Sequence, residues 1–113
     1  MTAILVSREL LFATRLHDIS ARSGTDLVRV DDPDELPSPT STRLVLVDWA
    51  DRSDNWGLRL VEWCAEAPED SRPRIVLFGP HTDLKAHAAA RESGLGPMWA
   101  RSKLLIELPS LMR

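Results

Sequence analysis

A single cysteine, Cys64, excludes an internal disulfide and any zinc site built from cysteines alone. Basic residues are not in excess either: 14 Lys and Arg against 17 Asp and Glu leave a formal net charge of −3. The chain therefore lacks the positive footprint of a sequence-independent nucleic-acid binder, and no nucleic-acid partner is expected. No apolar run approaches membrane-spanning length. The opening Met1-Thr2-Ala3-Ile4-Leu5-Val6-Ser7 meets Arg8 and Glu9 too soon for a secretion signal, so a cytoplasmic location without a membrane partner is expected. Glycines number only five, and neither Gly79-Pro80 nor Gly94-Leu95-Gly96-Pro97 resembles a phosphate-cradling loop. No Gly-x-Ser-x-Gly elbow appears. No enzymatic activity is expected.

What is present suits one compact domain spanning residues 1–113, with 43% hydrophobic residues to build a core. Four short apolar runs read as strands: residues 3–6, 26–30, 44–47 and 75–78. A weaker fifth covers residues 97–100. The first and third are continuous rather than alternating, as in a strand buried on both faces. The second mixes Leu27, Val28 and Val30 with charge, as on an edge.

Helical patterns lie between the strands. Residues 8–23 carry Leu11, Phe12, Leu16 and Ile19 at helical spacing, with Gly24 as the expected C-terminal cap. Residues 55–67 place Leu58, Val61 and Ala65 on one face, widened by Leu60, Trp63 and Cys64, before Pro68 stops them. A third helix runs from Thr82 or Asp83 to Ser93, and a last one spans residues 102–112, with a kink or the start of a new turn expected at Pro109. Between the second and third strands, Pro33, Pro37 and Pro39 leave room for at most one turn, with Asp32 as its cap. The helix there is expected to be shortened or lost.

Strands alternating with crossover helices imply a parallel sheet covered on both faces. Right-handed crossovers and five strands point to an α/β, flavodoxin-like three-layer sandwich in the order 2-1-3-4-5. Ligands in such folds bind beyond the carboxyl ends of the strands. The informative residues are then those just after each strand.

Those residues carry a family resemblance. Leu44-Val45-Leu46-Val47-Asp48-Trp49 resembles the third strand of the receiver domain of bacterial response regulators, which ends in the phosphate-accepting aspartate. Pro73-Arg74-Ile75-Val76-Leu77-Phe78-Gly79 resembles its fourth strand. Residues 94–102 resemble the segment that leads to its lysine-proline pair. The resemblance covers nearly the whole chain and implies Asp48 as the phosphoacceptor-like residue.

The rest of the receiver's phosphate-handling set is altered. Its two magnesium-holding acids fall on Arg8 and Glu9, its Thr or Ser on Phe78 or Gly79, its lysine on Arg101 and its proline on Ser102; Lys103 comes two residues late. Arg8 brings a fixed positive charge where magnesium would sit, leaving Glu9 and Asp48 as a weak alternative metal pair. The hydroxyl donor to a transferred phosphoryl group is gone. No cofactor beyond weakly bound Mg2+ is expected, and Trp99 has no switch role. Arg8 or Arg101 could instead pair directly with Asp48 through a bidentate contact, or both could point into water.

Other candidates are weaker. Asp48, Asp51 and Asp54 fall short of a calcium loop, since Gly57 comes too late and a distal glutamate is missing. His17, His81 and His87 read as surface residues, although His81 follows Gly79-Pro80 near the expected pocket rim. Cys64 reads as a small buried hydrophobe. Trp63 reads as core, while a partly exposed Trp49 or Trp56 would mark an interface over the Asp48 site.

The expected function is that of a stand-alone pseudo-receiver, a signalling or scaffolding module acting through protein contacts with an unidentified partner. Receivers commonly pair through their fourth helix, fifth strand and fifth helix, which implies a homodimer here by analogy. Two alternatives stay open: an atypical receiver phosphorylated on Asp48 in a phosphorelay, and a flavodoxin-like small-molecule binder with a pocket lined by Ser7, His81 and Ser102.

Overall fold

The computed structural model describes residues 2–112. Its strands are β1 (Thr2–Val6), β2 (Leu27–Val30), β3 (Thr42–Asp48), β4 (Arg74–Gly79) and β5 (Met98–Ala100). Among the described residues its α-helices are α1 (Leu10–Arg22), α2 (Trp56–Ala65), α3 (Leu84–Ser93) and α4 (Arg101–Leu111). All strand pairs are parallel, and the sheet runs β2-β1-β3-β4-β5. The α/β class and strand order agree with the sequence pattern. The apolar runs of β1 and β3 lie at the centre, where both faces are covered.

Alternation along the strands divides the core in two. Ala3, Leu5, Leu44, Leu46, Val76 and Phe78 face α1 and α4, packing with Phe12, Leu16, Leu104 and Leu108. Ile4, Val6, Val45, Val47 and Leu77 point the other way, against Trp56 and Leu60 of α2 and Ala86 and Ala90 of α3. Each large aliphatic side chain buried in these layers contributes about 1.5–3 kcal/mol relative to exposure.

The helix ends follow local chemistry. α1 ends in a left-handed Gly24, φ 72°, where the Gly24 amide bonds the Ala21 carbonyl and the Thr25 amide bonds the Ser20 carbonyl. This pair of bonds closes the carbonyl end of the helix. α3 begins at Asp83, whose carboxylate accepts the Ala86 amide at 3.0 Å.

Between β2 and β3 the expected crossover helix is lost. Two 3-10 turns, Pro33–Glu35 and Pro39–Ser41, replace it, and Asp32 caps the first as the sequence suggests. Proline at the first position of each turn forgoes an amide that would lack a partner anyway.

One helical expectation needs correction. The inward face of α2 is Trp56 and Leu60, both fully buried, whereas Leu58 and Val61 are 64% and 40% exposed and Ala65 is exposed too. Burying the large Trp56 indole sets the rotation of the helix and turns Leu58 outward. α4 runs through Pro109 to Leu111, close to the expected span. Pro109 is exposed on the outer side of the helix, while Leu104 and Leu108 hold it to the sheet.

Candidate functional site

β1, β3 and β4 bring Ser7, Asp48 and Phe78 together at the carboxyl edge of the sheet. The registers Val6↔Val47 and Asp48↔Phe78 set these neighbours, and strand alternation turns all three toward α1 and α4. Asp48 is only 1% exposed and Ser7 likewise 1%. The Ser7 hydroxyl donates to Asp48 Oδ2 at 3.0 Å. Ser7 is fixed in turn: its hydroxyl accepts the Glu9 amide at 3.1 Å, and its carbonyl accepts Arg29 Nη1 at 2.9 Å.

The other carboxylate oxygen is differently placed. Arg101, the first residue of α4, brings Nη2 to 4.0 Å from Asp48 Oδ1, close enough for attraction but too far for a hydrogen bond. Among the described residues Asp48 Oδ1 has no hydrogen-bond partner, and neither has the buried Nε of Arg101. The guanidinium carbon of Arg101 lies 5.6 Å from the centroid of the Phe12 ring, which packs in turn 5.4 Å from Phe78. The guanidinium thus lies near both the Phe12 ring and the carboxylate without hydrogen-bonding the latter.

Burial pushes the Asp48 carboxyl above the ordinary carboxylate range, and the nearby Asp51 charge adds to this. The Ser7 hydrogen bond, Arg101 and the Ala50 amide pull the other way without overcoming burial.

The remaining expected residues take different roles. Both oxygens of Glu9 serve the start of α1, accepting the amides of Leu11 at 2.9 Å and Phe12 at 2.7 Å. Arg8 is exposed; its amide donates to Asp51 Oδ2 at 3.0 Å. Of the two arginines proposed to pair with Asp48, only Arg101 approaches it, and the bidentate geometry is absent. Magnesium coordination fits these residues poorly, because Glu9 is occupied as a helix cap and a guanidinium stands beside Asp48. Among the described residues no group of three or more Asp, Glu, His or Cys side chains is placed to hold a metal.

Phe78 puts an aromatic ring, not a hydroxyl, beside Asp48 at the end of β4. Gly79 faces the opposite layer, where a Cβ would meet Met98 Sδ at 2.8 Å.

The interface expectation for Trp49 and Trp56 is corrected: the two are 2% and 0% exposed and belong to the core. Trp49 donates its indole N–H to the Ala86 carbonyl at 3.0 Å, tying the loop after β3 to α3. Trp63, expected in the core, is only half-buried. Cys64 is also half-buried, with its thiol toward the Pro73 carbonyl at 3.6 Å. Ser7, His81 and Ser102 do not share an open pocket, since Ser7 is buried under its hydrogen bonds while His81 and Ser102 are exposed.

The sequence points to Ser7 as a lining residue of a small-molecule pocket and not as a partner of Asp48. The signal for that partnership was the alternation of β1, which places Ser7 beside the last residue of β3 once the two strands pair in parallel. Comparison with protein-family models gives no match, and comparison with curated proteins gives no significant one. The receiver likeness rests on the residues and the strand order alone. Among the described residues, no helix is long and apolar enough to cross a membrane.

Proposed function

We propose that this chain is a receiver-like module, flavodoxin-like in fold with one helix lost, whose phosphoacceptor position is held in a single unphosphorylated state. It acts by binding other proteins rather than by carrying phosphate. One observation above all supports this: Asp48 is buried, with Ser7 hydrogen-bonded to one oxygen and the Arg101 guanidinium standing near the other. Phosphoryl transfer requires an open carboxylate, a metal to neutralise charge and donors placed around the moving group. Here a cation fixed by covalent connection to the chain stands in for a metal that could come and go.

By analogy with receivers, self-association would use α3, β5 and α4. Leu84 on α3 and Ile106 on α4 are exposed there, as Leu11 and Leu58 are on α1 and α2, so the assignment rests on the analogy.

Treatment with acetyl phosphate or beryllofluoride in magnesium, followed by intact mass and fluorine NMR, tests the proposal. No covalent gain and no bound fluoride resonance are expected. A stable adduct that disappears in Asp48→Asn would establish a working phosphoacceptor and overturn it.

A further inference from the structure

The lost crossover helix leaves a groove of about 450 Å³ between the proline-rich segment and α2. Pro33, Leu36, Pro37 and Pro39 form one wall. Arg59, Glu62, Trp63 and Glu66 form the other, a single stripe at i, i+3, i+4 and i+7 along α2. Two features hold the walls in place. Prolines restrict one backbone, and the Trp63 indole N–H donates to the Pro37 carbonyl at 2.8 Å, pinning the ring across the gap.

The charge of this groove is lopsided. Arg59, the one cation among the lining residues, is already paired with Asp32 at 2.6 Å and with Asp34. Glu62 and Glu66 are exposed and have no ion-pair partner among the described residues. A trough of mixed lining, more polar than apolar, thus has proline rings on one side and an indole face with two uncompensated carboxylates on the other. Such a surface favours a cationic side chain, whose charge meets the carboxylates while its stem lies on proline and tryptophan. The stripe spans about 10 Å along the helix, the length of roughly three residues of extended chain.

We infer that this groove docks a short extended segment of a partner protein bearing arginine or lysine. The inference concerns a surface apart from Asp48 and holds whether or not that residue accepts phosphate.

The probe is a capped Ala-Arg-Ala-Arg-Ala peptide, titrated into the isotopically labelled chain while amide and indole N–H resonances are followed by NMR. The Trp63 indole signal and amides within 33–39 and 59–66 should move together and saturate. The indole signals of Trp49, Trp56 and Trp99 should stay in place and report an intact fold. Replacing arginine by neutral citrulline in the peptide should weaken binding about tenfold, as should Glu62→Gln with Glu66→Gln in the protein, each removing roughly 1.4 kcal/mol. The two glutamates are solvent-exposed, so the double variant keeps the fold.

Equal binding of the arginine and citrulline peptides would overturn the inference, as would shifts scattered over the surface or no shift at millimolar peptide. Movement of the same resonances with protein concentration alone would assign the groove to a second copy of this chain and equally overturn it. The acetyl phosphate experiment reads Asp48 and is indifferent to each of these outcomes.

Discussion

Asp48→Asn should stabilise the folded protein at neutral pH. The substitution keeps the shape of the side chain and an oxygen for the Ser7 hydroxyl at 3.0 Å, while removing a buried negative charge. In the native chain Oδ1 has no hydrogen-bond partner among the described residues. A buried polar group left unsatisfied costs about 1–3 kcal/mol, more when charged. Against the gain stands the loss of attraction to Arg101 at 4.0 Å, whose side chain is 40% exposed. Partial solvation limits such a pair to under about 1 kcal/mol. The amide leaves a polar group unpaired as well, but a neutral one is cheaper to bury. The net expectation is a gain of about 1–2 kcal/mol, or roughly 4–8 °C in Tm for a domain of this size.

The pH dependence supplies the sharper test. Burial holds the folded Asp48 carboxyl above its ordinary value of 3.8, so the folded state keeps this proton to higher pH than the unfolded state does. Where the folded state binds more protons, stability falls as pH rises. The contribution of Asp48 is therefore fully favourable below the unfolded value and is lost as pH climbs through the raised folded one. Urea unfolding of both proteins at several pH values, with chelator present, should show the advantage of Asn shrinking toward acid. An Asn variant less stable than native at neutral pH would refute the reasoning. It would mean that Arg101 closes on the carboxylate in solution, or that another cation compensates it.

Glu9→Ala should cost about 1 kcal/mol, since the Leu11 and Phe12 amides lose their acceptors at the start of α1. Chemical denaturation measures the loss, and a magnesium titration of the native chain by calorimetry should give no heat that depends on Glu9. Gly79→Ala should cost about 1–2 kcal/mol, because the new methyl would meet Met98 Sδ at 2.8 Å. Met98→Ala in the same chain should recover part of that cost, read as a favourable coupling in a double-mutant cycle; strict additivity would show that the crowding lies elsewhere.

Much of the architecture was legible in the residues. Continuous apolar runs around Leu5 and Leu46 mark strands covered on both faces, and Gly24 and Gly94 mark helix ends that need a left-handed backbone. The proline-rich segment before β3 rules out a long helix there. Rotation about a helix axis was harder to read, because in α2 two apolar faces compete. Leu58 and Val61 look as suitable for burial as Trp56 and Leu60 until the sheet and α3 are in place. Tryptophan enrichment at interfaces pointed outward for Trp49 and Trp56, yet the indole N–H of Trp49 finds an acceptor inside, at Ala86, so its ring can be buried without stranding a donor.

Local order was determined by the sequence itself: hydrophobic spacing and turn residues act over a few neighbours, so strands, helix ends and the acid after β3 follow from short stretches of chain. Tertiary structure alone decided which groups surround that acid. Ser7 and Arg101 lie 41 residues before and 53 residues after Asp48, and only the parallel register of β1 with β3 and the start of α4 at the sheet edge bring them to it. Distance between charges in a desolvated site depends on packing of the whole core, which no local pattern encodes.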